Sequence, residues 1–292
     1  MIVDKRLTVE AGQTWTIWGL FDAHADNAMS ELKRFHRDID KIAADPCARV
    51  ILGGDFNDMM FAKGDPRHCP TQLKPFLLGK NAKADELIPY NVELLSRIAD
   101  KIDAYLIGNH EQTFADRHET NVAIRTVEEL NRGLAAQGNP HRIPYVGYWC
   151  WVGHFLEYNP GGKWTKPTVR RIDGFCHHGR GGDSPVTQGM IDITRVMTDF
   201  VFDWYMSGHI HKHTASDRPA LRRVGSFGNG RIKDVPRQAV ICPGYKRNYS
   251  EQPSHDFSER QRHSPVPLGA GRVYYDIIGK TADGLDVEVR WN

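Results

Sequence analysis

Apolar positions along this chain fall into two alternating patterns. Five short apolar runs each break off into Gly, Asp, Asn or His: Thr14–Leu20 before Asp22, Arg49–Leu52 before Gly54-Asp55, Ala104–Ile107 before Gly108-Asn109-His110, Ile172–Cys176 before His177-His178, and Phe200–Met206 before Gly208-His209. Such runs, rich in β-branched and aromatic residues and ending in turn formers, predict buried strands. Helical spacings lie between the early ones. Leu32, Phe35, Ile39 and Ile42 follow at intervals of 3, 4 and 3, with Ser30 as the candidate N-cap. Val92, Leu95, Ile98 and Ile102 form a second such face before the third strand. Alternating strands and helices predict βαβ units and an α/β fold, and in such sheets ligands collect beyond the carboxyl ends of the strands. All five polar clusters fall at those ends.

The remainder is less regular. Met59–Pro89 is punctuated by Gly, Pro and Lys without a long period, which suggests a loop facing substrate. Beyond His213 the chain is rich in Pro, Gly, Arg and Ser, with a brief strand-like piece at Gln238–Ile241. Gly271–Ile278 and Leu285–Trp291 alternate like two more strands, joined by a hairpin-type turn around Ala282-Asp283-Gly284. A length of 292 residues fits a single domain, 1–292, with a core at about 12–215 and a basic, loop-rich segment plus closing strands at 216–292.

Composition excludes little. The chain is 40% hydrophobic and 25% charged with a formal net charge of +2, an ordinary balance that does not announce a nucleic-acid binder. No run of about 18 apolar residues predicts a membrane span, and the first ten residues lack a secretory core. The five cysteines, Cys47, Cys69, Cys150, Cys176 and Cys242, are odd in number and never paired as Cys-x-x-Cys. Neither a disulfide framework nor a thiolate zinc site is expected, and a cytoplasmic location is.

Taken singly, most clusters have ordinary readings. Asp22-Ala23-His24 is also what a surface or capping triplet looks like, and Gly54-Asp55-Phe56-Asn57-Asp58 could be an Asx turn. Gly108-Asn109-His110-Glu111 could cap a helix. Gly208-His209-Ile210-His211 is harder to dismiss: in an extended segment both imidazoles would share one face, a costly arrangement unless something binds them. His213 reads as a bystander. In the doublet His177-His178, adjacent extended residues point to opposite sides, so at most one is a ligand.

Read together, the order Asp-x-His, Gly-Asp-x-x-Asp, Gly-Asn-His-Glu, His-Gly and Gly-His-x-His resembles the ordered signature of the calcineurin-like metallophosphoesterases, over Asp22 to His211. The resemblance implies a sandwich of two mixed β-sheets flanked by helices (αββα), carrying a basic C-terminal extension. It implies two divalent transition-metal ions, manganese first, with iron, zinc or nickel as alternatives; mixed oxygen and imidazole donors without thiolate suit those metals. By the same resemblance Asp22, His24 and His211 would hold one ion, Asn109, His178 and His209 the other, and Asp55 would bridge them. His178 is preferred over His177 because Gly179 follows it, as the motif requires. Two such ions would share a hydroxide that attacks a phosphoester in line. His110 would protonate or stabilise the leaving oxygen, oriented by Asp58.

The chain also departs from that pattern. Met59-Met60 follow Asp58, where the protein phosphatases of this superfamily carry Arg-Gly, and Asp26 stands where a Gly often follows the first motif's His. Glu111 echoes those phosphatases. Between Arg218 and Pro265 there are ten Lys and Arg (Arg218, Arg222, Arg223, Arg231, Lys233, Arg237, Lys246, Arg247, Arg260, Arg262) against four acids (Asp234, Glu251, Asp256, Glu259), with Phe227, Tyr245, Tyr249 and Phe257 interleaved. The segment Arg218–Arg262 suits a phosphodiester strand or nucleotide, and equally a solvated loop. Three functions follow: a phosphodiesterase of nuclease type, which the basic segment favours; a phosphomonoesterase on a small molecule or phosphoprotein; or a non-catalytic scaffold of the same fold, against which the intact ligand set and His110 argue.

Overall fold

In order along the chain, the elements are strands β1 (Ile2–Val9) and β2 (Thr14–Leu20), helix α1 (Leu32–Ala44), β3 (Ala48–Gly53), helix α2 (Lys83–Leu95), β4 (Ile102–Leu106), and helices α3 (Asn109–His118) and α4 (Val122–Ala136). Then come β5 (Tyr145–Gly147), β6 (Trp149–Tyr158), β7 (Thr168–His177), helix α5 (Met190–Asp199), β8 (Trp204–Ser207), β9 (Thr214–Asp217), β10 (Ala220–Val224), β11 (Arg231–Val235), β12 (Gln238–Ile241), β13 (Gly271–Thr281) and β14 (Gly284–Trp291). These come from a computed structural model that describes every residue except 62–64, 66–67, 160–165, 183, 185, 225–227, 251–258, 260–261 and 282–283.

Two six-stranded mixed sheets form the frame, ordered β14-β13-β2-β3-β4-β5 and β1-β6-β7-β8-β12-β9, with β10 and β11 as a separate antiparallel pair. In the first sheet β2, β3, β4 and β5 run parallel while β13 and β14 are antiparallel additions. The near-continuous apolar character of β2 and β3 follows from coverage on both faces. Ile17, Ile51 and Leu106 point inward against Val152, Cys176, Met206 and Val240 of the second sheet. Trp18, Leu20, Val50 and Leu52 point outward onto Phe35, Ile39 and Ile42 of α1 and Leu130 and Leu134 of α4. On the far side, Ile193 and Met197 of α5 cover Phe175, Tyr205 and Ile241. The molecule is thus two mixed β-sheets packed face to face between helices. No helix among the described residues is long and apolar enough to cross a membrane.

A buried charged network ties the sheets together. Asp103 on β4 accepts from Arg49 Nε on β3 (3.1 and 3.0 Å) and lies 3.1 Å from His154 Nε2 on β6 of the opposite sheet. His154 Nδ1 is 2.8 Å from the Tyr275 hydroxyl, to which Trp204 Nε1 donates at 2.6 Å. All five cysteines are free thiols, four of them buried.

Several expectations need correction. Ser30 does not cap α1: its hydroxyl donates to Ala23 O (2.7 Å), and the capping position belongs to Glu31, which makes no side-chain cap bond. The Val92–Ile102 spacing spans three elements, since α2 ends at Leu95, a 3-10 turn occupies Ser96–Lys101 and β4 starts at Ile102. The segment Met59–Pro89 contributes Met60 to the candidate cavity and also carries regular structure. The α2 helix begins inside it and runs through Pro89, and Met59, Leu73, Leu77, Leu87 and Ile88 pack with Phe114 and Val122 into a cluster of their own. Phe200–Asp203 stays outside β8, with Phe200 stacked on Phe175. The sheets also recruit β1, β12, β13 and β14, so the core extends beyond 12–215 at both ends. In the closing hairpin Thr281 pairs with Gly284, while Ala282 and Asp283 lie outside the described residues.

Candidate metal centre

The carboxyl ends of β2, β3 and β4 in one sheet, and of β7 and β8 in the other, converge on one spot. Backbone bonds stitch the loops that leave them: Asp22 N to Gly54 O (3.1 Å), His24 N to Asp55 O (3.0 Å) and Gly208 N to His178 O (2.9 Å). Asp22, His24, Asp55, His209 and His211 all have positive φ, between 43° and 72°. Few non-glycine residues adopt that conformation, and those that do concentrate at functional sites. Gly108 and Gly208 are demanded by close approach, since a Cβ would come within 2.0 Å of Asp55 Oδ1 at the first and 2.3 Å of Asp22 Oδ2 at the second.

The side chains gather into groups. Asp22, His24 and His211 form one trio and Asp55, His178 and His209 another, each with its ligand atoms within 4.8 Å of one another. In the first, His24 Nε2 faces His211 Nε2 at 3.2 Å and Asp22 Oδ1 lies 3.6 Å from the latter. In the second, Asp55 Oδ2 is 3.3 Å from His178 Nε2, and Asn109 Oδ1 lies 3.2 Å from that nitrogen and 2.8 Å from His209 Nδ1. The far nitrogens are spoken for: His178 Nδ1 is 2.9 Å from Gly53 O, and His209 Nε2 is 3.1 Å from Gly181 O. Backbone carbonyls on the outer nitrogen fix the tautomer that leaves the inner one as a donor pair.

His209 and His211 therefore reach the site by a different route from the one the sequence suggested. They do not share the face of a strand. Each sits in a left-handed turn, so one ring joins the Asp55 trio and the other the Asp22 trio. His178 is fully buried in the site, whereas His177 is half-buried with its Nδ1 accepting from Gly179 N (2.8 Å). His213 is exposed.

Asp58 meets two histidines. Its Oδ1 lies 2.7 Å from His24 Nδ1, while His110 Nδ1 is 2.7 Å from the Asp58 backbone carbonyl and 3.3 Å from the carboxylate. The carboxylate chiefly supports His24, and the main chain orients His110. His24, Asp58 and His110 make a third compact trio, with His24 common to two of the three.

Three further groups, to which the sequence assigned no role, take part in this site. The Asp26 carboxylate accepts from the backbone N–H of Asp58 and of Met59 (3.0 Å for the latter), pinning the second motif's loop to the first. Burial, then Asp58, pushes its carboxyl up to about 6. Glu111 accepts from Gly108 N and Asn57 N, both at 3.1 Å, and burial followed by Asp55 raises it to about 7. Lys246 is 6% exposed with Nζ 3.5 Å from Asp58 Oδ2. Only its place in a basic run hinted at it.

The donor set fits cations. Asp22 is fully buried, and its Oδ1 accepts no hydrogen bond among the described residues. Burial alone would raise the Asp55 carboxyl, but His178 and His110 hold it well below the usual range; His178, which burial would lower, is pushed by Asp55 up to about 9. A proton on His178 thus offsets the buried Asp55 carboxylate, a task that divalent ions would take over. Above the cluster opens a cavity of about 270 Å³, walled by Met60, Lys246, Asn248, His263 and Val266, with the His110 ring on its floor.

The basic segment is dispersed. Arg218, Arg222, Arg223, Arg231, Lys233 and Arg237 lie on or beside β9 to β12, and none of them lines that cavity. Arg247 instead opens onto a separate groove with Lys33, Arg34, Arg37 and Lys74 of the α1 side. Tyr245 is fully buried with its hydroxyl donating to Asp38 Oδ2 (2.9 Å), so its ring cannot stack on a base. Phe227, Glu251, Asp256, Phe257 and Arg260 lie outside the described residues.

No model of a known protein family matches the chain. No curated protein matches it either. Among solved structures it is similar to a conserved uncharacterized protein, a predicted phosphoesterase, from Streptococcus pneumoniae TIGR4, at 11% identity and a TM-score of 0.33, over 97% of this chain and 99% of that one. A likeness of that degree carries nothing across to this chain.

Proposed function

We propose that this chain is a metal-dependent phosphoesterase whose two divalent ions are held by Asp22, His24 and His211 on one side and by Asn109, His178 and His209 on the other, with Asp55 between them. The observation that carries the reading is the pair of buried carboxylate–imidazole trios facing one cavity, since mixed oxygen and imidazole donors suit manganese, iron, zinc or nickel. When bound, such a pair of ions supplies a deprotonated water as nucleophile and neutralises phosphate oxygens.

The chain's own groups do the rest. The Asp58 carbonyl fixes His110 Nδ1 as an N–H donor, so the second proton of the imidazolium form sits on Nε2 and passes from there to the departing oxygen, leaving the ring neutral. Asp58 supports His24 electrostatically, and Asp26 and Glu111 clamp the loops that carry the ligands. Such preorganisation spares the site reorganisation during reaction.

Phosphodiesters are the favoured class. Lys33, Arg34, Arg37, Lys74 and Arg247 share a groove with Glu31, which pairs with Arg247, and its remaining basic groups would neutralise further phosphates of a nucleic-acid strand. The competing phosphomonoesterase reading requires no such groove. The test is turnover of bis-p-nitrophenyl phosphate against p-nitrophenyl phosphate by manganese-loaded protein, beside a single-stranded DNA digest. Activity that EDTA abolishes and manganese restores is expected, with the diester hydrolysed faster. Metal-loaded protein that hydrolyses neither ester would reduce the chain to a binding scaffold.

A further inference from the structure

The wall of the cavity opposite the ligand cluster is built by the chain after β12. Tyr245 N donates to Asp22 O (2.9 Å), Arg247 N donates to Met29 O (3.1 Å), and Lys246 forms an isolated antiparallel bridge with Ser30. These three ties fix the backbone on either side of Lys246 to the loop that carries Asp22 and His24. A second layer holds the mouth: Asn248 Nδ2 donates to Ser264 O and Tyr249 Oη to His263 O, both at 2.7 Å. Lys246, Asn248 and His263 therefore line one rigid wall facing His110, Asp55 and His211.

A buried ammonium at this place is electrostatically odd. Asp58, whose Oδ2 lies 3.5 Å from Lys246 Nζ, also faces His24 and accepts from Asn27 Nδ2. Divalent ions in the trios would add their positive charge to that of Lys246 around the same cavity. Positive groups gathered around one cavity of low polarity attract an anion into it. The position after the second motif, where an arginine could have served phosphate, holds Met59 and Met60, and Met60 Sδ itself lies 4.0 Å from Lys246 Nζ.

We propose that Lys246, flanked by Asn248 and His263, is the anion subsite of this cavity and binds a non-bridging oxygen of the substrate's phosphoryl group. The inference rests on the phosphoesterase reading for the identity of its ligand, but its test does not need turnover. Inorganic phosphate is titrated calorimetrically into manganese-loaded wild type, Lys246→Gln and Lys246→Arg. A hydrogen bond between charged partners predicts phosphate affinity roughly 10- to 100-fold weaker in Lys246→Gln, with manganese content unchanged and most of the affinity recovered in Lys246→Arg. On bis-p-nitrophenyl phosphate the same loss should appear chiefly in KM. Affinity within twofold of wild type in Lys246→Gln overturns the proposal, and so does manganese lost along with phosphate, because Lys246 would then act through Asp58 on the ligands. In the unaltered protein, phosphate should slow acetylation of Lys246 by acetic anhydride, read by mass spectrometry; an unchanged rate overturns the proposal without any variant. Wild type that binds phosphate through Lys246 yet hydrolyses no ester would sink the hydrolase reading and keep the subsite.

Discussion

Replacing Asp58 by Asn separates metal support from proton transfer. The carboxylate Oδ1 sits 2.7 Å from His24 Nδ1, and it raises the basicity of that ring against the opposing effect of burial. His110 is held mainly by the Asp58 backbone carbonyl, 2.7 Å from its Nδ1, which the substitution leaves in place. Asp58→Asn keeps the shape and removes the charge. Groups that orient and charge a metal-binding His are typically worth 10- to 100-fold in metal affinity, or about 1.4–2.7 kcal/mol. Manganese titration of the apo-protein should therefore show one of two sites weakened by that factor and the other little changed. With manganese saturating, kcat should return to near the wild-type value. His110→Ala supplies the contrast: manganese affinity should be unaltered, while kcat falls roughly 10²–10⁴-fold, the ordinary worth of positioned acid–base help, and added metal does not restore it. The reasoning fails if Asp58→Asn binds manganese as tightly as wild type and loses kcat that saturating metal does not recover. The carboxylate would then act on His110, and the main-chain contact would be incidental.

Two other expectations follow from the geometry. His178→Ala should lose manganese and activity, whereas His177→Ala, whose ring accepts from Gly179 N, should keep most of both; elemental analysis of the two proteins decides, and the opposite pattern would move the ligand by one residue. Asp103 is held below the usual carboxylate range by Arg49 and His154 although burial opposes them, so its stabilisation is full above the unfolded value of about 3.9 and is lost as pH falls through the lower folded value. Arg49→Met should cost about 3–5 kcal/mol in urea unfolding at pH 7, less toward pH 4 as Asp103 takes up a proton, and a cost below about 1 kcal/mol at pH 7 would mean that His154 and Lys5 already suffice.

How much of this was legible in the sequence depends on whether a feature is periodic or local. The burial periods of β2, β3 and α1 follow from spacing, because a side chain's face is set by its position in the repeat. The five strand ends were legible for the same reason. The strand β1 was not read from the sequence: its partner, in the register Ile2↔Trp151, lies far along the chain, and nothing local specifies it. The contacts of Asp26, Glu111 and Lys246 could not be read from the sequence because Asp58, Asn57 and again Asp58 are distant from them along the chain. The backbone of the site was hidden for a different reason. Asp and His enter positive φ more often than most residues but still seldom, and nothing local marks which of them will, yet Asp22, His24, Asp55, His209 and His211 all adopt it. Each such residue costs on the order of 1–2 kcal/mol relative to ordinary conformations. The cost is met by tertiary bonds between the loops, such as Asp22 N to Gly54 O and His24 N to Asp55 O, and by the glycines at 108 and 208 that let backbone crowd the carboxylates. Rules for extended chain therefore brought His209 and His211 to the site for the wrong geometric reason. A strand would have turned both rings to one side; the left-handed turns divide them between two carboxylate groups, and the proposal of two ions in place of one depends on that division.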